Sequence, residues 1–269
     1  MSEDEKKVVD ASSEPRTRTS LATDLRNLGV ERGMIIIVHS SLSSLGWVVG
    51  GAVAVVQALI DVVTDEGTLV MPAQTADCSD PASWCDPPVP PEWWEVIYQA
   101  MPAFDPAITP TYRMGAIAET FRKWPGTIRS NHPTSSFSAW GRYAQEIIAD
   151  HELDNGLGEG SPLARVYELG GSILLLGVGY DRNTSFHLAQ YRVPGTQKDR
   201  RGSPLYENGQ RVWKWYHDID LDETLFPAIG SELEQTGQVK IGHVGSAIAR
   251  LFSQRSAIDF ATAWYLKHC

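Results

Sequence analysis

The chain has 269 residues, 42% of them hydrophobic and 21% charged, proportions of an ordinary folded protein that exclude wholesale disorder and fibrous repeats. Its 33 Asp and Glu against 23 Lys and Arg leave a formal net charge of −10, which opposes nucleic-acid binding through phosphate neutralisation and suits a cationic partner. Cys78, Cys85 and Cys269 are too few and too scattered for a disulfide framework, and no CxxC pair offers a zinc site, so a reducing cytoplasm is the expected compartment.

Residues 1–16 are polar, charged throughout and aperiodic, which predicts a disordered, frayed arm and no secretory signal. A single domain is expected over 17–269. Leu21, Leu25 and Leu28 recur at helical spacing behind the cap candidates Thr19 and Ser20 and stop at Gly29, which predicts a first helix. Met34–Val38 is a short run apolar on both faces, the signature of a buried parallel strand. Gly50-Gly51 opens an apolar-periodic segment, Ala52–Val63, in which Gln57 and Asp61 bar a membrane span, and Thr68–Met71 closed by Pro72 reads as a second buried strand. That is a strand, helix, strand unit of parallel type.

Between Thr75 and Pro110 lie eight prolines and Trp84, Trp93 and Trp94, which predict an ordered excursion over the surface that walls a binding cleft. Ser172–Val178 is a third buried strand, followed by a helix from about Thr184. Farther on, Arg211–Tyr216 and Val239–Gly242 read as strands, and Val244–Phe252 and Ala257–Leu266 as helices. The fold expected is α/β, with a mixed, largely parallel central sheet, helices on both faces and the Pro/Trp-rich insertion lining the cleft.

In such sheets ligands sit beyond the carboxyl ends of the strands. His39-Ser40-Ser41-Leu42, Met71–Thr75 and Gly177–His187 occupy those places. His187, near the start of a helix behind a strand, is the best general base, because imidazole with a pKa of about 6.5 accepts a proton at neutral pH; the bland reading is a core histidine. His39 either orients a ligand or accepts backbone hydrogen bonds, and His132, in an Asn-His-Pro turn, reads as structural. Ser40 and Ser185 lack the flanking glycines of a nucleophile elbow, and no phosphate-cradling glycine motif is complete. His217-Asp218-x-Asp220-x-Asp222-Glu223 is the one dense acidic cluster, without the glycine of a calcium loop, so no metal is expected. It is either a solvated helix start or a surface for cations.

His39-Ser40-Ser41-Leu42, Gly67–Pro72, Met114-Gly115, Arg129–Pro133, Ser161-Pro162 and Gly177–Leu188 resemble, in order and spacing, the aminoglycoside 3-N-acetyltransferase family over about residues 17–265. The resemblance implies transfer of an acetyl group from acetyl-CoA to the 3-amino group of the deoxystreptamine ring of an antibiotic, without a metal. It implies His187 as the base, Asp218 and Asp220 facing the aminoglycoside, and His39, Ser40, Ser41 and Leu42 with Thr75, Met114 and Gly115 around the two substrates, the pantetheine arm threading between them. A homodimer is compatible with it, and neither nucleic acid nor membrane is an expected partner. Family members commonly carry Glu three residues after the histidine. Here that residue is Gln190, so a carboxylate partner for His187 is expected from Asp181 or the acidic cluster, and backbone N–H groups at the start of the His187 helix are expected to stabilise the oxyanion. Two rival readings are a serine hydrolase or amidase using Ser40 or Ser185 with His187, and a non-catalytic binder of CoA or of a cationic metabolite.

Overall fold

A computed structural model describes residues 3–268. The arm expected to fray is instead a helix, α1 (Glu3–Ala11), and the chain behind it is tied down where the Arg16 N–H donates to the Trp47 carbonyl at 2.8 Å and the Trp47 N–H to Ser12 Oγ at 2.8 Å. In α2 (Arg18–Leu28) the cap is Thr17, ahead of both expected candidates, Thr19 and Ser20. Its hydroxyl accepts from the Ser20 N–H while Ser20 Oγ accepts from the Thr17 N–H, a reciprocal capping box. Gly29, at φ 104°, ends the helix as expected.

The chain continues through β1 (Ile35–Ser40), α3 (Gly51–Val63), β2 (Thr68–Pro72), α4 (Trp94–Ala100), α5 (Gly115–Arg122), β3 (Ile128–Arg129), β4 (Phe137–Gly141), α6 (Ala144–Ile148), α7 (Pro162–Glu168) and β5 (Ser172–Leu176). It ends with α8 (Phe186–Arg192), β6 (Lys198–Glu207), β7 (Gln210–Ile219), α9 (Phe226–Gln235), β8 (Lys240–Val244), β9 (Ala247–Ser253) and α10 (Gln254–His268). Seven strands form one mixed sheet in the order β3-β4-β2-β1-β5-β9-β8. β1 pairs in parallel with both β2 and β5, and antiparallel strands flank this trio on either side.

The centre explains its own sequence. Ile37 lies opposite Val70 on one side and Ile173 on the other, and side chains alternate between two cores. Ile36, Val38, Leu69, Met71, Leu174 and Leu176 pack on the layer of α2, α3 and α5, whereas Ile37, Val70, Ile173 and Leu175 meet the layer of α6 to α10. Strands buried on both faces have no polar side, hence the unbroken apolar runs.

Residues 244–252, expected as a helix, form the end of β8, a turn at Gly245-Ser246 and most of β9. Ala247, Ala249 and Leu251 are buried while Ile248 is half exposed, a period of two that places Val244 and these residues in the first core. Residues 211–216 belong to the ten-residue strand β7, which pairs with β6 as a separate two-stranded ribbon around an Asn208-Gly209 turn with both φ positive, 51° and 75°. The Pro/Trp-rich insertion leans on this ribbon: the Phe104 N–H donates to the Pro204 carbonyl at 2.9 Å, Arg211 Nε to the Met101 carbonyl at 3.1 Å, and Tyr98 packs edge-on against Trp213. Asp218 therefore sits at the end of a strand, not at a helix start.

Candidate active site

Two cavities open beyond the carboxyl ends of β1, β2 and β5. The first, about 960 Å³, is lined by the β1 terminus (His39, Ser40, Ser41, Leu42), by Gly51 at the start of α3, by Met114 and Gly115 at the start of α5, and by Glu5 and Val8 of α1. The second, about 660 Å³, lies between the insertion, with Asp80, Trp84 and Asp86, and the ribbon, with Arg201, Asp218 and Asp220. Gln74, Arg113, His187 and Glu223 line both. His187 stands at the junction.

The loop that carries it turns sharply at Gly177, where φ is +71° and a Cβ would come within 2.6 Å of Ser44 Cβ, so only glycine lets the β1 and β5 loops approach this closely. A short 3₁₀ turn at Tyr180–Arg182 leads to α8, whose second residue is His187, 5% exposed and with Phe226 edge-on at 4.8 Å. Its Nδ1 lies 2.8 Å from Gln190 Oε1. The Gln190 Nε2 donates to the Asp222 carbonyl at 2.6 Å and to the Tyr265 hydroxyl at 3.1 Å. A carbonyl can only accept, so the NH₂ end of the amide must face Asp222 and the oxygen must face the ring. Nδ1 is thereby the protonated nitrogen and Nε2 keeps its lone pair. Burial pushes the His187 pKa below its usual value, partly countered by the Gln190 hydrogen bond and the charges of Glu223 and Asp222. The ring is a neutral acceptor at physiological pH.

Asp181 lines the first cavity but pairs with Arg182 at 3.0 Å. The Nδ1 partner is Gln190 itself, not Asp181. Asp218 is buried and held from three sides: Oδ1 accepts from the Tyr191 hydroxyl at 2.6 Å and the Ile219 N–H at 2.8 Å, and Oδ2 from the Gly156 N–H at 3.0 Å. Asp220 is exposed and paired with Arg201 at 2.9 Å. Thr75 lines neither cavity; it is buried, its hydroxyl donates to the Pro133 carbonyl and its N–H to the Thr134 carbonyl at 3.0 Å, so it shapes the end of β2. The amides at the start of α8 are spent: those of Phe186, His187 and Leu188 donate to the carbonyls of Asn183, Thr184 and Ser185 at 3.0 to 3.2 Å.

Ser185 is buried, accepts from Gln254 Nε2 at 3.1 Å and borders neither cavity, which leaves Ser40 as the one serine of the hydrolase reading that faces the site. Buried Cys78 has its thiol pushed up to about 11 by burial, far from an activated nucleophile. Among the described residues, no group of three or more His, Cys, Asp or Glu is placed to hold a metal ion, and no helix is long and apolar enough to cross a membrane. Gln74 falls within the strand-end segment 71–75 that the sequence singled out, whereas Arg113, Gln190's anchors and the position of Glu223 were missed. Only Glu223 carried a signal, as the last residue of the acidic cluster.

Behind the second cavity, His132 Nδ1 accepts from the Ser135 N–H at 2.9 Å, and His151 bridges Ser130 Oγ at 2.9 Å and the Gly156 carbonyl at 2.8 Å. Burial holds His132 at about 4, His39 at about 3, and His151 well below its usual value. All three fold neutral, whereas the unfolded chain protonates them near pH 6.5. Below that pH the unfolded state binds more protons, so stability is full above about pH 6.5 and falls toward pH 4, by up to about 1.4 kcal/mol per pH unit for each histidine. The urea midpoint is expected to be clearly lower at pH 5 than at pH 7; equal midpoints would mean that these rings bury their charge.

The model of the family described as aminoglycoside 3-N-acetyltransferase matches residues 37–266. The chain belongs to this family. It is 50% identical over 264 residues to the SPbeta prophage-derived aminoglycoside N(3')-acetyltransferase-like protein YokD of Bacillus subtilis (strain 168), covering 98% of this chain and 97% of that one. The crystal structure of YokD superposes with a TM-score of 0.97 over 98% of both chains. AAC-IIIb in binary complex with CoASH, 35% identical, superposes at a TM-score of 0.84 over 94% of this chain and 97% of its own. AAC-VIa bound to sisomicin, 32% identical, does so at 0.85 over 94% and 98%.

Proposed function

We propose that the protein transfers the acetyl group of acetyl-CoA directly to the 3-amino group of aminoglycoside antibiotics, with His187 as general base. The observation that carries the reading is the junction: two cavities, one for each substrate, share a histidine whose tautomer is fixed with Nε2 free. Membership of the family, CoASH on AAC-IIIb and sisomicin on AAC-VIa support the same assignment.

The first cavity suits the acetyl donor. Helices α3 and α5 begin there without side-chain caps, on Gly51 and Gly115 at φ 55° and 84°, and uncapped N–H groups at helix starts favour phosphate oxygens. The second cavity suits a polyamine, with the carboxylates of Asp77, Asp80, Asp86, Asp218, Asp220 and Glu223 outnumbering Arg113, Arg200 and Arg201. In the reaction His187 Nε2 takes a proton from the attacking amine as the N–C bond forms. The C–S bond then breaks with its electron pair on sulfur, and the imidazolium returns the proton to the thiolate. The products are the N-acetylated antibiotic and CoASH, and the reading places the enzyme in the cytoplasm.

A thiol-release assay with acetyl-CoA and a panel of aminoglycosides tests it. Release is expected with antibiotics that carry a free 3-amine and to vanish when that amine is blocked. Equal release without any acceptor would favour hydrolysis at Ser40, which labelling by a fluorophosphonate would then reveal.

A further inference from the structure

Direct acyl transfer places negative charge on the thioester oxygen, and a donor aimed at that oxygen is commonly the largest single contributor to such catalysis. The amides at the start of α8 are engaged in its first turn, and the Ser41 N–H is spent on the Leu176 carbonyl at 3.0 Å. Ser41 Oγ accepts from Ser44 Oγ at 2.9 Å and lies 3.3 Å from Ser43 Oγ, which can take its own hydrogen. One polar side chain of the first cavity stands apart. His39, at the carboxyl end of β1 and 6% exposed, has no hydrogen-bond partner for either ring nitrogen among the described residues, and its Nε2 is sealed from solvent.

Buried imidazole nitrogens are normally paired, and a buried N–H without an acceptor is the costlier defect. The cheaper tautomer leaves the sealed Nε2 bare and puts the ring's proton on Nδ1, the nitrogen left to meet a ligand in the cavity that His39 lines. We infer that His39 is a catalytic residue whose Nδ1–H donates to the thioester carbonyl oxygen of the acetyl donor and holds the oxyanion, opposite the base His187. The inference rests on the acetyl-transfer reading above. In the step, the amine nitrogen bonds the carbonyl carbon, the C=O pair moves onto oxygen beside Nδ1–H, and the pair returns as the C–S bond breaks. His39 keeps its proton throughout. Burial and the neighbouring His187 hold its pKa at about 3, so it serves as a neutral donor and does not compete with His187 for the amine proton, a division of labour between two imidazoles that the protonated form would spoil.

Infrared spectroscopy of acetyl-CoA labelled with ¹³C at the thioester carbonyl, bound to the unaltered protein, reads the contact without any acceptor. The carbonyl band is expected at lower wavenumber than in free acetyl-CoA, and His39→Ala is expected to abolish the shift. With an aminoglycoside present, His39→Ala should lower kcat by roughly 10²–10³ while the KM for acetyl-CoA changes by less than about threefold. His39→Asn, whose amide nitrogen reaches the place of Nδ1, should restore at least about a tenth of the lost rate. A bound band at the free position, or wild-type kcat in His39→Ala with the loss appearing in Ser40→Ala instead, would overturn the assignment while leaving acetyl transfer intact. Failure of the unaltered protein to bind acetyl-CoA would remove both.

Discussion

Replacing His187 by alanine is expected to lower kcat by roughly 10²–10⁴ and to leave the affinity for acetyl-CoA nearly unchanged, the signature of a group that acts only as the reaction proceeds. Among the described residues His187 is the one titratable ring at the place where both cavities meet, and the Gln190 amide, pinned by the Asp222 carbonyl and the Tyr265 hydroxyl, holds its lone pair on Nε2. Gln190 is neutral, so it orients the ring without stabilising the imidazolium as a carboxylate would. Gln190→Glu should raise the His187 pKa and move the acidic limb of the kcat/KM profile to higher pH, because the base works only when unprotonated. The same variant points a carboxylate oxygen at the Asp222 carbonyl, and the thermal midpoint is expected to fall. Wild-type turnover in His187→Ala would remove the ring from the mechanism, and an acidic limb that does not move in Gln190→Glu would show that another group sets it.

The parallel centre of the fold and the ligand-facing ends of its strands were legible because burial on both faces leaves an unmistakable apolar run, as at 34–38 and 172–176. The same rule placed His39 and His187 at one cavity. Residues 244–252 misled because small apolar residues such as Ala247, Ala249 and Leu251 satisfy a period of two as well as a helical one over so short a span. The first eleven residues carry little hydrophobic pattern, yet Glu5 and Val8 reach the first cavity; a contact of that kind depends on a distant surface and has no local signature. Thr75 illustrates the opposite error. A hydroxyl at a strand end suggests a ligand, but its orientation was decided by the Pro133 carbonyl, some sixty residues away in the chain. The insertion's course over the ribbon was invisible for the same reason, since Tyr98, Met101 and Phe104 find their partners at Arg211 and Pro204.

The acidic cluster divides by how each carboxylate is held, and binding should divide with it. Asp218 is fixed by Tyr191, Ile219 and Gly156 and brings a buried, pre-oriented negative charge to the second cavity. Glu223, at the junction with His187, has no ion pair among the described residues. Asp220 is already paired with Arg201, and its side chain is 79% exposed. A charge-assisted contact to an ammonium contributes on the order of 1.5–3 kcal/mol where it is sheltered and little where water and a competing cation screen it. Asp218→Asn is therefore expected to raise the KM for an aminoglycoside by about tenfold or more, and Glu223→Gln and Asp220→Asn, both at exposed positions, by less than about threefold, with the KM for acetyl-CoA nearly constant in all three. Asn at 218 also turns an N–H₂ group toward the Gly156 N–H or the Tyr191 hydroxyl, so a loss of folding has to be separated from a loss of charge. Salt makes that separation: removing a charge that attracts a polycation flattens the ionic-strength dependence of kcat/KM, whereas local disorder lowers it equally at all salt concentrations. If the three variants share one KM and one salt slope with the parent protein, these carboxylates do not receive the substrate, and the attraction for a cationic acceptor rests on the net charge of the whole molecule.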